Sequence, residues 1–137
     1  MDISIYTDGG SRGNPGPSGY GLVVYDQNQN IIYQDSRFLG IKTNNEAEYL
    51  GLLAALTWLV KHQSGLKSVS FYSDSQLLVR QITGAYKVKA PTIKPLFATA
   101  QSLLSQINCR IKFTHLLRHK NELADQLANQ AMDTARS

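Results

Sequence analysis

The spacing of apolar residues changes at Thr43, and this change limits the folds open to the chain. Three strands are predicted before it, over Ile3–Thr7, Tyr20–Tyr25 and Ile31–Leu39. After it the spacing becomes that of a helix, and the rest of the chain alternates between helix and strand. Early hairpins followed by alternating strands and helices predict an α/β fold, with a mixed five-stranded sheet and helices on both faces.

In the second part of the chain, the residue pattern predicts four helices and two strands. Thr43 and Glu46 have the spacing of a capping box, and an apolar helical run from Ala47 to Val60 follows and ends by Gly65. The later elements are strands over Val69–Ser73 and Arg110–Leu116, helices over Ser75–Ile82 and Pro95–Gln106, and a last helix that Asn121 can cap and that reaches Thr134. Turns are predicted at Gly9–Pro17 and Asp26–Asn30, and a loop at 84–91.

The length and composition fit one compact domain. The chain has 137 residues, of which 42% are hydrophobic and 18% charged, so a single domain over residues 1–137 is expected. The longest apolar run, Leu52–Leu56, is far too short to span a membrane, and we see no secretory signal. A lone cysteine, Cys109, cannot form an internal disulfide, so a reducing cytoplasm is the expected compartment.

Charge is divided unevenly along the chain. Residues 1–60 carry three basic and six acidic residues, whereas residues 61–137 carry eleven basic and four acidic ones. This asymmetry favours an anionic partner for the second half of the chain. A solubilising surface would explain the same distribution equally well.

Two predicted strands end in the same way, each with a tyrosine two residues before an aspartate. The first ends at Asp8 after Tyr6, and the fourth ends at Asp74 after Tyr72. If these strands are parallel neighbours, both carboxylates stand side by side at their carboxyl ends. In open α/β sheets that edge is where sites usually form.

Two further carboxylates come from predicted helices. Glu48 lies on the apolar side of its helix, within about 40° of Leu52, Ala55 and Leu59. An inward carboxylate is costly unless an ion compensates it, whereas Glu46 on the other side suits a solvent-exposed helix start. Asp125 begins the last helix, where an ordinary first-turn acid explains it better on its own. Carboxylates without cysteine ligands suit magnesium or manganese, and two such ions suit phosphodiester cleavage.

Four segments, in order, resemble the motifs of the type 1 ribonuclease H family. They are the first-strand signature from Tyr6 to Pro17, the helix-start motif from Thr43 to Tyr49, the third motif Ser73-Asp74-Ser75-Gln76 and the fourth motif from Asn121 to Asp125. The resemblance runs nearly end to end. It implies the ribonuclease H-like fold, and it implies that Asp8, Glu48, Asp74 and Asp125 bind two Mg²⁺ ions, with Mn²⁺ as a possible substitute.

The resemblance also assigns substrate contacts. Asn14, Asn44, Asn45 and Gln76 match positions that read the minor groove of a hybrid, as suits amides that donate to and accept from 2′-hydroxyls. Turn and capping chemistry would equally explain Asn44 and Asn45. The backbone at Gly9, Gly10 and Ser11 would permit close approach, and Thr43 resembles a residue that holds a DNA-strand phosphate.

The segment before the fourth motif matches the family less well. Members of the family usually carry a mobile histidine there, and short members an arginine; Arg118 is ranked first here, with His115 and His119 close behind. Longer members have a basic helix and loop after the second helix. Residues 84–91 are shorter, with Tyr86, Lys87 and Lys89 as the candidate contacts, although a loop aromatic is more often packing.

The implied function is an endonuclease that cuts the RNA strand of RNA–DNA hybrids and leaves 5′-phosphate and 3′-hydroxyl ends. A monomer without membrane association is expected, and the sequence leaves open whether double-stranded RNA is also cut. The alternatives are another nuclease or strand transferase of this superfold, and a non-catalytic module that binds hybrid or RNA. The presence of all four carboxylates argues against the module.

Overall fold

The computed structural model describes residues 1–134. This part of the chain has five strands, β1 (Asp2–Ser11), β2 (Gly16–Tyr25), β3 (Ile31–Lys42), β4 (Ser68–Ser73) and β5 (Arg110–His115). It has four α-helices, α1 (Asn44–His62), α2 (Gln76–Ile82), α3 (Lys94–Ser105) and α4 (Glu122–Thr134), and a 3-10 turn at Arg118–Lys120. The order of strands and α-helices is the predicted one.

The sheet is mixed, as the sequence predicts. Its strand order is β3-β2-β1-β4-β5. The three N-terminal strands are antiparallel, whereas β4 joins β1 and β5 joins β4 in parallel. The parallel pairing of β1 with β4 brings the carboxyl ends of these two strands to the same edge, because parallel neighbours run in one direction.

Consecutive residues of β2 point to opposite faces of the sheet. Leu22 and Val24 enter the main core under α1, whereas Val23 packs with Ala124 and Leu127 of α4. Leu22, Val23 and Val24 are all fully buried. A strand covered on both sides reads as a continuous apolar run, which is why β2 carries Leu-Val-Val without polar residues between them. The predicted placement of helices on both faces is confirmed.

The predicted turn at Gly9–Pro17 is too long. β1 continues through Ser11 and pairs with β2 from Ser18 onward, so only residues 12–15 connect the strands. Glycines in β1 and β2 also allow the helices to pack closely against the sheet. A Cβ at Gly9 would lie 2.5 Å from the Ala47 carbonyl carbon, and one at Gly21 would lie 2.1 Å from the Ala124 carbonyl oxygen.

We expect Gly21→Ala to destabilise the protein by about 3 kcal/mol, because the new methyl group meets backbone atoms of α4 that cannot move independently. Gly10→Ala is the matched control. Its Cβ would lie 3.5 Å from the Met132 Cε, an ordinary contact, and we expect a change within about 1 kcal/mol. Urea unfolding of both variants measures the difference. Equal stabilities would show that α4 does not pack this closely on β2.

α1 begins at Asn44, directly after its predicted cap, because the capping box of Thr43 and Glu46 is formed in full. α4 begins at Glu122, directly after Asn121. The predicted cap by the Asn121 side chain is wrong. Its amide nitrogen donates to the Thr7 carbonyl at 2.8 Å, and its Oδ1 is buried without a hydrogen-bond partner among the described residues. Within residues 1–134, no helix has the length and apolar character needed to cross a bilayer.

Candidate active site

Asp8 and Asp74 lie side by side at the carboxyl edge of the sheet. Thr7 pairs in register with Ser73, and Asp8 and Asp74 are the residues that come next, Asp8 within β1 and Asp74 directly after β4. The tyrosines two residues earlier confirm the shared face, since the Tyr6 and Tyr72 rings stack with their centroids 4.8 Å apart. The juxtaposition predicted from the two matching strand ends is therefore present.

Glu48 reaches the same point from the first turns of α1. It is buried, and its Oε1 accepts a short hydrogen bond from the Gly9 backbone N–H. The Gly9 backbone can approach α1 this closely because the residue lacks a Cβ. One carboxylate oxygen from each of Asp8, Glu48 and Asp74 lies within 4.8 Å of the others. Glu46, by contrast, points outward and accepts from the Thr43 backbone N–H at 3.0 Å.

Asp125 stands on the α4 side of this cluster. It lines a hollow of about 270 Å³ with Asp8, and its side chain contributes to the raised pKa of Asp8. It is not one of the three residues whose oxygens meet within 4.8 Å. The structure thus brings the predicted carboxylates to one site, three of them tightly and the fourth beside Asp8.

Burial and mutual repulsion disfavour the charged forms of these acids. The pKa of Asp8 is raised well above its usual range by burial first, and then by the negative charges of Glu48 and Asp74. The pKa of Glu48 is raised by burial and by Asp74, while hydrogen bonds from Asp8 and Gly9 and the charge of Arg118 act in the opposite direction. A cation placed among the carboxylates would relieve both effects.

The arrangement of donors at the cluster fits a hard divalent cation. Asp74 Oδ2 is buried and has no hydrogen-bond partner among the described residues; the Arg118 Nε lies 3.5 Å from it, on a side chain that is mostly exposed. A buried carboxylate oxygen without a donor is costly unless an ion coordinates it. Oxygen-only ligands are those that Mg²⁺ and Mn²⁺ prefer.

Of the three basic side chains proposed near the fourth motif, Arg118 is the one at the carboxylates. It lines the hollow beside Asp125 and a second hollow next to the start of α1, which together form the two hollows of the site. The charges of Asp8, Asp74 and Asp125 raise its pKa. His115 ends β5 in register with Ser73 and is exposed, and His119 is exposed within the 3-10 turn. Neither histidine lines either hollow.

The predicted amide contacts form a connected group beside the carboxylates. The Asn44 Oδ1 accepts from the Ser11 backbone N–H at 2.8 Å, and the Asn14 Oδ1 accepts from the Asn44 backbone N–H at 3.0 Å. Asn45 lines a hollow of about 290 Å³ together with Asp8, Gly9, Asn44, Glu48, Asp74, Ser75 and Arg118. Gly10 lines the neighbouring hollow on the α4 side. The Thr43 hydroxyl lies close by but is occupied as the cap of α1.

The remaining predicted contacts lie further along the chain. Gln76 opens α2, two residues after Asp74, and lines neither hollow. Tyr86, Lys87 and Lys89 are exposed in the connection that follows α2, and Val88 between the two lysines is buried and anchors that connection. Tyr86 has 47% of its surface exposed, so it does not belong to the core.

Several residues at the site were not singled out from the sequence. Ser75, which lines the hollow beside Asp74, follows that aspartate directly and could have been found from its position. Arg12 and Asn129 line the hollow on the α4 side, where Arg12 pairs with Asp133 across 121 residues. No local pattern in the sequence signals a contact of that range.

The sequence profile of the reverse transcriptase-like family matches residues 6–131. Among curated proteins, the chain is 45% identical over 136 residues to the bifunctional protein Rv2228c of Mycobacterium tuberculosis, covering 98% of this chain and 36% of that protein. It is 38% identical over 133 residues to ribonuclease HI of Halobacterium salinarum, covering 97% of this chain and 65% of that protein. The chain thus spans about a third of the length of the first curated relatives that it matches.

Among solved structures, LC11-RNase H1 in complex with an RNA/DNA hybrid matches with a TM-score of 0.92 and 42% identity, covering 98% of this chain and 99% of that one. The chain therefore belongs to the reverse transcriptase-like family, and its relatives include proteins named as ribonucleases H. The resemblance to type 1 ribonuclease H inferred from the four motifs is confirmed, as is the ribonuclease H-like fold.

Proposed function

We propose that this chain is an endoribonuclease that hydrolyses the RNA strand of RNA–DNA hybrids with the help of divalent metal ions. The observation that carries the proposal is the cluster of Asp8, Glu48 and Asp74, whose oxygens lie within 4.8 Å of one another at the carboxyl edge of the sheet. The relative LC11-RNase H1 binds an RNA/DNA hybrid in its solved structure.

Mg²⁺ is the proposed ion, with Mn²⁺ as a substitute. Asp8, Glu48 and Asp74 would hold one ion, and Asp125 beside Asp8 would complete the ligands for a second. When bound, such ions activate water and stabilise the leaving oxygen of a phosphodiester. The chain itself supplies fixed carboxylates on rigid elements: strand β1, the residue that follows β4, the first turns of α1 and the start of α4.

The substrate would lie across the hollows beside the cluster. The Gly9 to Ser11 backbone allows close approach, and the amides of Asn14, Asn44 and Asn45 are placed to read 2′-hydroxyls. Gln76 and the basic connection with Tyr86, Lys87 and Lys89 would extend the contact along the DNA strand. We propose a cut that leaves a 5′-phosphate and a 3′-hydroxyl.

Arg118 is the best-placed candidate to assist proton transfer or product release. It faces Asp8, Asp74 and Asp125 from an exposed turn, so it can approach and leave the scissile phosphate without disturbing the core. His115 and His119 remain weaker candidates because both are exposed outside the hollows. The site is built by one chain, which supports a monomer, and the lone Cys109 supports a cytoplasmic location.

The test is cleavage of an end-labelled RNA–DNA hybrid in MgCl₂, beside MnCl₂, EDTA, and double-stranded RNA and DNA of the same sequence. We expect metal-dependent cutting of the RNA strand of the hybrid. The new 5′ ends should be labelled by a kinase only after phosphatase treatment, as 5′-phosphates are. Cutting of the RNA duplex as well would widen the substrate class. Tight hybrid binding without cutting in either metal would contradict the enzyme and leave a binding module.

A further inference from the structure

Outside the carboxylate cluster, a long segment of the chain lacks acidic residues altogether. From Ser75 to Asn121 there is no Asp or Glu, while the same 47 residues carry eight Lys or Arg side chains. Its first part contains α2 and the connection to α3, where the exposed cations are Arg80, Lys87 and Lys89. This exposed first part, which carries one sign of charge and begins beside Asp74, is suited to a polyanion that continues past the site.

Within this segment, Arg80 holds two other polar groups in place. Its guanidinium lies over the Tyr86 ring, with Cζ 5.3 Å from the ring centroid. With the Gln76 amide turned so that its oxygen faces Arg80, that oxygen accepts from Nη2 at 2.8 Å and from Nε at 3.3 Å. The Tyr86 backbone N–H donates to the Arg80 carbonyl at 2.9 Å. One arginine therefore links the start of α2 to the connection that follows it.

Burial fixes neither of the two linked side chains. Tyr86 is half exposed, and Gln76 lies on the exposed first turn of α2. Within residues 1–134, Arg80 forms no ion pair with a carboxylate. Its planar fork can donate to the amide on one edge and stack on the ring with its face, which a lysine ammonium cannot do.

We infer that Arg80 is a positioning residue for nucleic-acid binding: it arranges Gln76 and Tyr86 into one strip, defined as Gln76, Arg80 and Tyr86, that receives the hybrid beyond the carboxylates. The inference rests on the proposed function. The strip offers an amide, a cation and an aromatic ring in series, the groups that contact sugars, phosphates and sugar or base faces. Lys87 and Lys89 add phosphate contacts next to it.

The test measures hybrid affinity in EDTA, where no cutting occurs, and multiple-turnover cleavage in MgCl₂ on the same hybrid. Arg80→Ala is expected to weaken binding and raise KM about five- to tenfold, with kcat within about twofold, since the lost contacts lie away from the carboxylates. Arg80→Lys is expected to recover less than half of this loss, because it restores the charge without the planar fork. Arg110→Ala, an exposed arginine at the opposite end of the sheet, is the control and should leave KM unchanged.

Two further readouts separate positioning from direct charge. The slope of log affinity against log salt should stay at the wild-type value in Arg80→Lys, although affinity remains low. Arg80→Ala and Tyr86→Ala should together cost clearly less than the product of their separate fold-changes, because the first already releases the ring. Full recovery by lysine, independent effects of the two alanines, or wild-type KM in Arg80→Ala would overturn the inference. A wild-type protein that binds hybrid but does not cut it would contradict the proposed function alone.

Discussion

Asp74→Asn is expected to lower the rate of hybrid cleavage in Mg²⁺ by about a thousandfold while the protein remains folded. The substitution preserves the size of the side chain but replaces one carboxylate oxygen with an amide nitrogen. The resulting amide cannot coordinate a cation as a carboxylate does. Among the described residues, Asp74 is the cluster carboxylate with a buried oxygen, Oδ2, that lacks a hydrogen-bond partner. Charge stabilisation by a bound ion contributes several kcal/mol to the barrier, and every 1.36 kcal/mol corresponds to about tenfold in rate.

The control for this prediction is Glu122→Gln, which removes one exposed charge from the first turn of α4 without touching the cluster. It should cut at close to the wild-type rate. Hybrid binding in EDTA should be similar or tighter in Asp74→Asn, because a negative charge near the phosphates has been removed. If Asp74→Asn kept more than about a tenth of wild-type activity, Asp74 would not be a ligand that the reaction requires.

The carboxylate site could be predicted because its signals are local or repeat along the chain. Asp8 and Asp74 each come two residues after a tyrosine in segments with the same strand pattern, and the inward position of Glu48 follows from helical periodicity alone. Asp125 is different: an acid in the first turn of a helix is ordinary, and only the resemblance to a family placed it at the site. The position of Asp125 beside Asp8 depends on how α4 packs across the sheet, and no local sequence pattern encodes that packing.

What the sequence could not predict depends on contacts between distant segments. The Gly9–Pro17 segment has the composition of a turn, yet pairing of β1 with β2 extends both strands into it, and Gly9 leaves space that the backbone of α1 occupies. Asparagine is a residue type that commonly caps helices, but the Asn121 amide donates to the Thr7 carbonyl, 114 residues away. Likewise, Gln76 and Tyr86 were separate candidates until Arg80 between them proved to contact both.

In metal-free buffer at pH 7, Glu48→Gln is expected to be more stable than the wild type by about 1–2 kcal/mol. The folded state raises the pKa of Glu48 through burial and the charge of Asp74. The folded protein therefore holds its proton more tightly than the unfolded chain, whose glutamates titrate near pH 4.3. Wild-type stability should fall as the pH rises from about 4.3 through the folded pKa. Glutamine keeps the acceptor for the Gly9 N–H but removes this dependence.

Thermal unfolding in EDTA between pH 4 and 8 measures the effect, and the difference between variant and wild type should shrink toward pH 4. Saturating MgCl₂ should then stabilise the wild type by about 2–3 kcal/mol, as a ligand at about 100 times its dissociation constant does, and Glu48→Gln much less. Glu46→Gln is the matched control, since glutamine also completes a capping box and the residue points away from the cluster. It should follow the wild type at every pH and in Mg²⁺. If Glu48→Gln also followed the wild type, the cluster would neither repel itself nor bind the ion, and the metal site would have to lie elsewhere.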